Sequence, residues 1–286
     1  MNRTDLGFEH KDSSSSASQR ISVESDLGIR DNRKLTFPVE ESTKSRLLGK
    51  IRYYWCWTVA GALLLAVGLP AILFLWLINR RLWLYPVALW GAKMWLKACG
   101  AKVRVIGVEN LKPDQQYVFI SNHRSYLDTA TLFRYTGKRM GLVAKKELLV
   151  VPILGQAMHF VNIIAIDRSN PERARRSMDK AREVMENGFS FGIFAEGTRA
   201  MPGELLPFKK GAFHLALQTG RSIIPVAIKN SDGMMGKRSG VAFSGTVEMV
   251  LLPPIDTDNY EESGLMELLD RTRSVIADEL SKPSEK

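Results

Sequence analysis

Tyr117-Val118-Phe119-Ile120-Ser121-Asn122-His123-Arg124-Ser125-Tyr126-Leu127-Asp128 opens as an apolar, β-branched and aromatic run and closes on a histidine and a carboxylate. The opening run reads as a strand over Tyr117 to Ser121, and Leu127 to Tyr135 reads as the helix that follows. Residues five apart stand about 140° apart round an ideal helix, so His123 and Asp128 share no face if both are helical. They meet if His123 lies in the turn after the strand and Asp128 in the first turn of the helix. Such a pair supplies an imidazole base and a carboxylate that holds its tautomer, the two parts needed to deprotonate a hydroxyl. The plainer reading is a helix start in which Asn122 or Ser125 caps, Asp128 favours the dipole and His123 is incidental.

Strands and helices alternate on both sides of this stretch. Val103 to Val108, Gly141 to Ala144, Val161 to Ile166, Phe189 to Ala195, Ser222 to Ile228 and Thr246 to Leu252 read as strands. Asn170-Pro171 opens a helix by capping residue and N1 proline; its apolar positions Ala174, Met178, Ala181 and Met185 fall at helical spacing and Gly188 stops it. Gly211 to Gln218 is a further helix, and Ser263 to Leu280 a closing acidic one. The alternation predicts an α/β fold, a mixed, largely parallel sheet flanked by helices, over residues 99–286.

Upstream, the cluster Lys44, Arg46, Lys50, Arg52 introduces Tyr53 to Asn79, which carries no formal charge. About 20 apolar residues cross a bilayer, so length permits a span, but Pro70 would kink or break the helix. A second apolar run, Leu82 to Leu96, contains Trp83, Tyr85, Trp90 and Trp95, residues that favour the headgroup boundary. Residues 45–98 are therefore expected to be hydrophobic membrane-anchoring helices, either one span or a broken hairpin sunk into one leaflet, with a hairpin buried in the core as the plainer reading. Basic residues balance on the two sides of the first run and do not orient it. Residues 1–44 are polar, with serines from Ser13 to Ser16 and no sustained period, and are expected to be a disordered extension.

The 40 basic residues against 30 acidic ones give a net charge of +10. The excess lies in the middle of the chain, whereas the closing helix is acidic, so the middle expects anionic company. Beside an apolar anchor this points to a membrane surface or a phosphorylated substrate in preference to nucleic acid. Cys56 and Cys99 make neither a disulfide framework nor a metal-ligand spacing, and no metal site is expected.

Phe189 to Ala195 ends in Glu196-Gly197-Thr198-Arg199. In open α/β folds ligands gather beyond the carboxyl ends of strands, and His123 also stands at such an end. Gly197 permits close backbone approach, and Arg199 offers a planar fork suited to phosphate; the plainer reading is a turn with a surface salt bridge. Lys209 and Lys210 precede a helix start, where positive charge opposes the dipole, so a phosphate is the preferred reason for them. Gly188-Phe189-Ser190-Phe191-Gly192 satisfies the pattern of a hydrolase elbow, with His214 downstream, but here a helix ends and a strand begins, the reverse of the required order. His159 and His214 read as packing residues.

Between these stretches lie Lys145-x2-Leu148-x3-Pro152-x2-Gly155 and, later, the apolar-proline-apolar strand Ile224-Pro225-Val226. With His123-x4-Asp128 and Phe194-x-Glu196-Gly197-Thr198-Arg199, these four ordered motifs resemble those of the glycerolipid acyltransferases, and among them the 1-acyl-sn-glycerol-3-phosphate acyltransferase family. The resemblance runs over roughly residues 85 to 255. Ala195 departs from the proline many members carry there, and residues 1–44 have no counterpart. The resemblance implies an enzyme of phospholipid biosynthesis that moves an acyl chain from an acyl thioester to the sn-2 hydroxyl of lysophosphatidate, making phosphatidic acid. His123 would be the general base and Asp128 its orienting group. Arg199 with Gly197 and Thr198 would hold the acceptor phosphate, Lys145 would add positive charge, and Glu196 would bind or order the acceptor backbone. It implies no resident cofactor, with acyl-CoA or acyl carrier protein as co-substrate, and a membrane-associated protein whose catalytic domain faces the cytoplasm, at the inner membrane in a bacterium. Another lysolipid acceptor, or a non-catalytic anchored domain that binds acidic lipids, would share much of this pattern.

Overall fold

The computed structural model describes residues 32–38, 45–80, 83–167 and 170–284. The chain divides into two units, residues 1–32 and 33–286, and the description below concerns the second. The first element is a short strand, β1 (Leu35–Thr36), followed by one long helix, α1 (Arg46–Leu77), and by α2 (Leu84–Ala98). The α/β domain then runs β2 (Ala101–Ile106), β3 (Val118–Ser121), α3 (Leu127–Tyr135), β4 (Met140–Lys145), α4 (Leu154–Phe160), β5 (Ile163–Ile166), α5 (Pro171–Glu186) and β6 (Ser190–Phe194). It closes with β7 (Glu204–Leu205), α6 (Gly211–Thr219), β8 (Ile223–Lys229), α7 (Ser231–Met235), β9 (Gly245–Leu251) and α8 (Leu265–Ser281).

Seven strands form one sheet in the order β2-β9-β8-β3-β6-β4-β5, parallel throughout except for the antiparallel β8–β9 pair. The expected α/β class is thus present. β3 lies at the centre with all four residues buried, and successive side chains enter opposite layers. Phe119 joins a core with Leu96, Leu127 and Leu132, while Val118 and Ile120 join one with Phe213, Leu268 and Ile276. Where β3 stops, the Asn122 side chain continues its ladder: Nδ2 donates to Ile228 O at 2.9 Å and Oδ1 accepts from Ile228 N at 2.8 Å. Asn122 is therefore a brace across β3 and β8, in place of the helix cap that its position first suggested. α5 starts as expected, with Asn170 Oδ1 accepting from Arg173 N at 3.0 Å ahead of Pro171.

The upstream region departs from expectation in three ways. Pro70 does not divide the apolar run. The helix passes through it, because residues Leu64–Gly68 form a π turn in which Leu69 N donates to Leu64 O, five residues back. That wider turn shifts the bonding partners just ahead of a proline that has no N–H and whose ring crowds the carbonyl four residues earlier. The resulting helix of 32 residues contains an 18-residue stretch of mean hydropathy 2.4 and is long and apolar enough to cross a membrane. Its inner face packs on the domain through Cys56, Ile72 and Leu75, and Gly49 lets it lie against Phe243 and Val241. Its outer face exposes Leu47, Tyr54, Leu65, Phe74 and Trp76.

Second, α2 is part of the domain as much as of the anchor. Leu84, Tyr85 and Leu96 are buried in the sheet's core, and the Tyr85 hydroxyl accepts from Met140 N at 2.7 Å at the start of β4. Third, the disorder expected over residues 1–44 lies outside the described residues for 1–31 and 39–44, whereas residues 33–38 are held. β1 pairs antiparallel with β7, Phe37 N donates to Gly203 O at 2.6 Å, and Lys34 pairs with Glu204 at 2.8 Å. Backbone pairing supplies here what the local apolar content did not promise.

Asn122→Ala would leave the buried amide and carbonyl of Ile228 without partners, at about 1–3 kcal/mol each. Thermal or denaturant unfolding of this variant should register a loss of about 2–6 kcal/mol; unchanged stability would show that the brace carries nothing.

Candidate active site

β3, β6 and β4 are adjacent and parallel, so their carboxyl ends open on one edge of the sheet. The β3–β6 register sets Ser121 beside Phe194 at the strand ends, and two residues beyond each strand His123 meets Glu196. The turn after β3 is organised by one atom. Asp128 Oδ2 accepts from Arg124 N at 2.7 Å and Ser125 N at 2.7 Å, and stands 2.9 Å from His123 Nδ1. A carboxylate oxygen only accepts, so Nδ1 carries the proton and Nε2 keeps its lone pair. The juxtaposition proposed from sequence, a histidine in the turn and an aspartate in the first helical turn, is the one observed. Asp128 is fully buried, while the His123 side chain retains 15% exposure. The imidazole also stacks on Phe194, centroids 4.0 Å apart and planes 18° apart, so two contacts fix the ring.

Glu196 is buried, and each of its oxygens takes a backbone amide: Oε1 accepts from His123 N at 2.6 Å and Oε2 from Leu206 N at 2.8 Å. It ties the β3 turn to the segment after β7 and does not point outward. Burial pushes its carboxyl up to about 7, against the pull of those two amides and of Arg124. Gly197 adopts φ 72°, a left-handed conformation that suits glycine, and Lys209 lies over it: a Cβ there would stand 3.0 Å from the lysine's Cδ and Cε. Thr198 is exposed at the tip of the turn.

Arg199 lays its guanidinium over the Tyr126 ring, 3.5 Å from the centroid, and its buried Nη1 has no hydrogen-bond partner among the described residues. Tyr126 meets Trp57 of α1 edge-on at 5.1 Å, so the apolar helix touches the site through one aromatic link. Lys237, in the loop after α7, donates from Nζ to Arg199 O. Among the described residues neither Arg199 nor Lys237 forms an ion pair with a carboxylate, although, after Lys34, the Lys237 charge also reaches the Glu204 carboxyl and helps to hold it below its ordinary value. Arg124 is different: it is buried, donates from Nε to Glu204 O at 2.7 Å, lies 3.6 Å from Asp232 and packs on the Phe37 ring.

The structure thus brings together His123, Asp128, Glu196, Gly197 and Arg199. Lys145 stands at the end of β4 with its side chain 62% exposed and paired with Glu147 at 3.2 Å, so it is not drawn into this cluster. Of the two lysines before α6, Lys209 reaches the Glu196–Arg199 turn, whereas Lys210 is an exposed helix start. Ser190 is a buried strand residue whose Oγ accepts from Tyr117 N at 3.1 Å, and His214 pairs with Glu262 at 2.6 Å on the surface, so these two build no hydrolase elbow. His159 lies exposed on α4 and is not packed inside. Phe194, Tyr126 and Lys237 were missed from sequence. Phe194 could have been found from its place two residues before Glu196 on one strand; Lys237 gives no local signal.

The raised carboxyl of Glu196 has a stability consequence. Between its ordinary value of 4.5 and about 7 the folded chain holds a proton that the unfolded chain has released, so stability falls as pH rises through that window. Relative to Glu196→Gln, whose amide does not titrate, the native chain should lose melting temperature from about pH 5 to about pH 7. Parallel pH profiles for the two proteins would contradict this.

Comparison with known proteins follows the same residues. A family model described as Acyltransferase matches residues 102–229. The chain is 37% identical over 186 residues to the 1-acyl-sn-glycerol-3-phosphate acyltransferase of Saccharomyces cerevisiae, covering 64% of this chain but only 61% of that protein's length. It is 30% identical over 276 residues to the chloroplastic 1-acyl-sn-glycerol-3-phosphate acyltransferase LPAT1 of Arabidopsis thaliana, covering 93% of this chain and 74% of that one. Its fold is that of the crystal structure of the 1-acyl-sn-glycerophosphate acyltransferase PlsC from Thermotoga maritima, with a TM-score of 0.68, 23% identity, and coverage of 84% and 98%. On the Arabidopsis match above all, which spans nearly the whole chain, this protein belongs to the 1-acyl-sn-glycerol-3-phosphate acyltransferase family of O-acyltransferases.

Proposed function

We propose that the chain transfers an acyl group from an acyl thioester to the sn-2 hydroxyl of 1-acyl-sn-glycerol 3-phosphate, with His123 as general base. The observation that carries this is the single Asp128 oxygen that fixes the His123 tautomer and leaves Nε2 free. Nε2 takes the hydroxyl proton as the oxygen attacks the thioester carbonyl; the tetrahedral species then expels the thiolate, which takes the proton back. The products are phosphatidate and free thiol, and no acyl-enzyme forms. Asp128 stabilises the transient imidazolium. The acceptor is the one named for the relatives. The donor is coenzyme A or acyl carrier protein in thioester form, for which the same steps hold.

Arg199 and Lys237 grip the acceptor phosphate, with Lys209 beside Gly197 adding charge and Thr198 a hydroxyl. A lipid held by its phosphate has its hydroxyl kept near the base, so what was a bimolecular encounter becomes positional. Glu196 acts as a brace for the His123 turn and not as a direct contact with the acceptor. Lys145, paired with Glu147 outside the cluster, is given no part in holding the acceptor. α1 and its exposed apolar face hold the domain on the membrane, on the cytoplasmic side where the resemblance places the catalytic domain.

Purified protein supplied with vesicle-borne lysophosphatidate and acyl-CoA should yield phosphatidate by mass spectrometry. A charge-assisted hydrogen bond lost from the phosphate costs about 1.5–3 kcal/mol, so Arg199→Met and Lys237→Met should each raise the acceptor KM by roughly tenfold to 100-fold. The donor KM should stay as in the native protein and Lys237→Arg should restore the acceptor KM. Acylation of non-phosphorylated acceptors alone, or acceptor KM values unchanged in both variants, would overturn this reading.

A further inference from the structure

The segment between β4 and α4 has a composition that loops rarely carry. Leu148, Leu149, Val150 and Val151 are four consecutive apolar residues, exposed by 40%, 49%, 82% and 38%. Connecting segments on an aqueous surface are ordinarily polar, and contiguous exposed apolar residues mark a surface that something apolar covers. The loop is also rigidly built. Val151 N donates to Leu148 O at 3.2 Å and Gly155 N to Val151 O at 3.0 Å. A Cβ on Gly155 would stand 2.2 Å from Leu149 O, so glycine is required for the backbone to close this tightly. Ile153 has φ 68° and ψ −47°, with Leu154 N donating to Pro152 O at 2.7 Å. That is the rare positive-φ γ-turn, strained for a β-branched residue and kept only where the surroundings impose it.

Next to this turn lies α1. Gly68, in the π turn, lies within van der Waals reach of Ile153: a Cβ there would stand 3.9 Å from Ile153 Cγ2. Leu154, next in the chain, lines one apolar cavity of about 290 Å³ with Leu64, Val67 and Gly68 of α1. Around this contact α1 exposes Leu65, Leu73 and Phe74 to its surroundings. The apolar tip at 148–151 is therefore followed directly by residues that meet α1, among the described residues the one helix long and apolar enough for a membrane. Lys145 and Lys146 flank it but pair with Glu147 and Asp167, so the apolar tip and not the charge sets the character of the surface.

We propose that the Leu148–Val151 tip is a second membrane contact, inserting into the same lipid surface as α1 and fixing the tilt of the domain. Both contacts flank the edge of the sheet that carries His123, since the tip follows the carboxyl end of β4, so the open site is turned to the lipid that supplies the acceptor. The occupant is lipid and not protein because the tip continues the exposed apolar surface of α1, for which lipid is already the partner. The proposal rests on the reading of α1 as the membrane-holding helix.

The test uses an environment-sensitive fluorophore on single added cysteines at Val150, at Leu73 of α1 and at the exposed Glu267 of α8, with the unsubstituted chain correcting for Cys56 and Cys99. Each full-length protein is studied in detergent and then in phospholipid vesicles containing nitroxide-bearing lipids. On transfer to vesicles, emission from position 150 should shift to the blue and be quenched as at position 73, while position 267 stays aqueous. Position 150 behaving like 267, with 73 quenched, would overturn the second contact alone. Positions 150 and 73 both remaining aqueous would overturn the membrane role of α1 and this inference with it. A label at 150 shielded equally well in lipid and in detergent, and untouched by the nitroxides, would mean that protein covers the tip, which also defeats the proposal.

Discussion

Three hydrogen-bond donors converge on one oxygen of Asp128, and most of what is particular to this protein follows from that convergence. A buried carboxylate is tolerated only when its charge is met by donors, and two of the three here are backbone amides of the turn that carries the histidine. The aspartate therefore shapes the turn and sets the tautomer of His123 at the same time. The convergence in turn requires the sheet. β3 must end where it does, with Asn122 tied to β8 and Glu196 from the turn after β6 holding His123 N, for the amides to face inward.

The second constraint is how a lipid reaches this base. The aromatic contact from Trp57 of α1 to Tyr126, and from Tyr126 to the Arg199 guanidinium, joins the apolar helix to the cations of the site without an intervening loop. Cation–π contact orients a guanidinium while leaving its N–H donors for an anion. In the proposed function these side-chain contacts link the phosphate grip to the membrane-holding helix, which is what an enzyme acting on an amphipathic acceptor needs.

Much of this was legible in the sequence for local reasons. The strand before His123, the helix from Leu127, and the start of α5 at Asn170-Pro171 all rest on propensity, periodicity and capping, and each formed as expected. What misled was also local: Pro70 argued for a break because a proline's effect is read residue by residue, whereas a π turn upstream absorbs it. The second apolar run looked like anchor because exposed Trp83 and Trp90 and buried Leu84 and Leu96 are equally apolar; only packing sorts them. The strand at Leu35–Thr36 and the placement of Lys237 against Arg199 depend on partners more than 30 residues away, about which a sequence window says nothing.

The central claim is that His123 is the general base. It is tested most directly by comparing the turnover of the native protein and of His123→Ala on vesicle-borne lysophosphatidate at saturating acyl-CoA. Loss of a positioned base should lower kcat by roughly 100-fold to 10,000-fold, with the acceptor KM little changed because the phosphate grip is intact. Turnover equal to that of the native protein would remove His123 from the chemistry, and with it the reason for the Asp128 convergence.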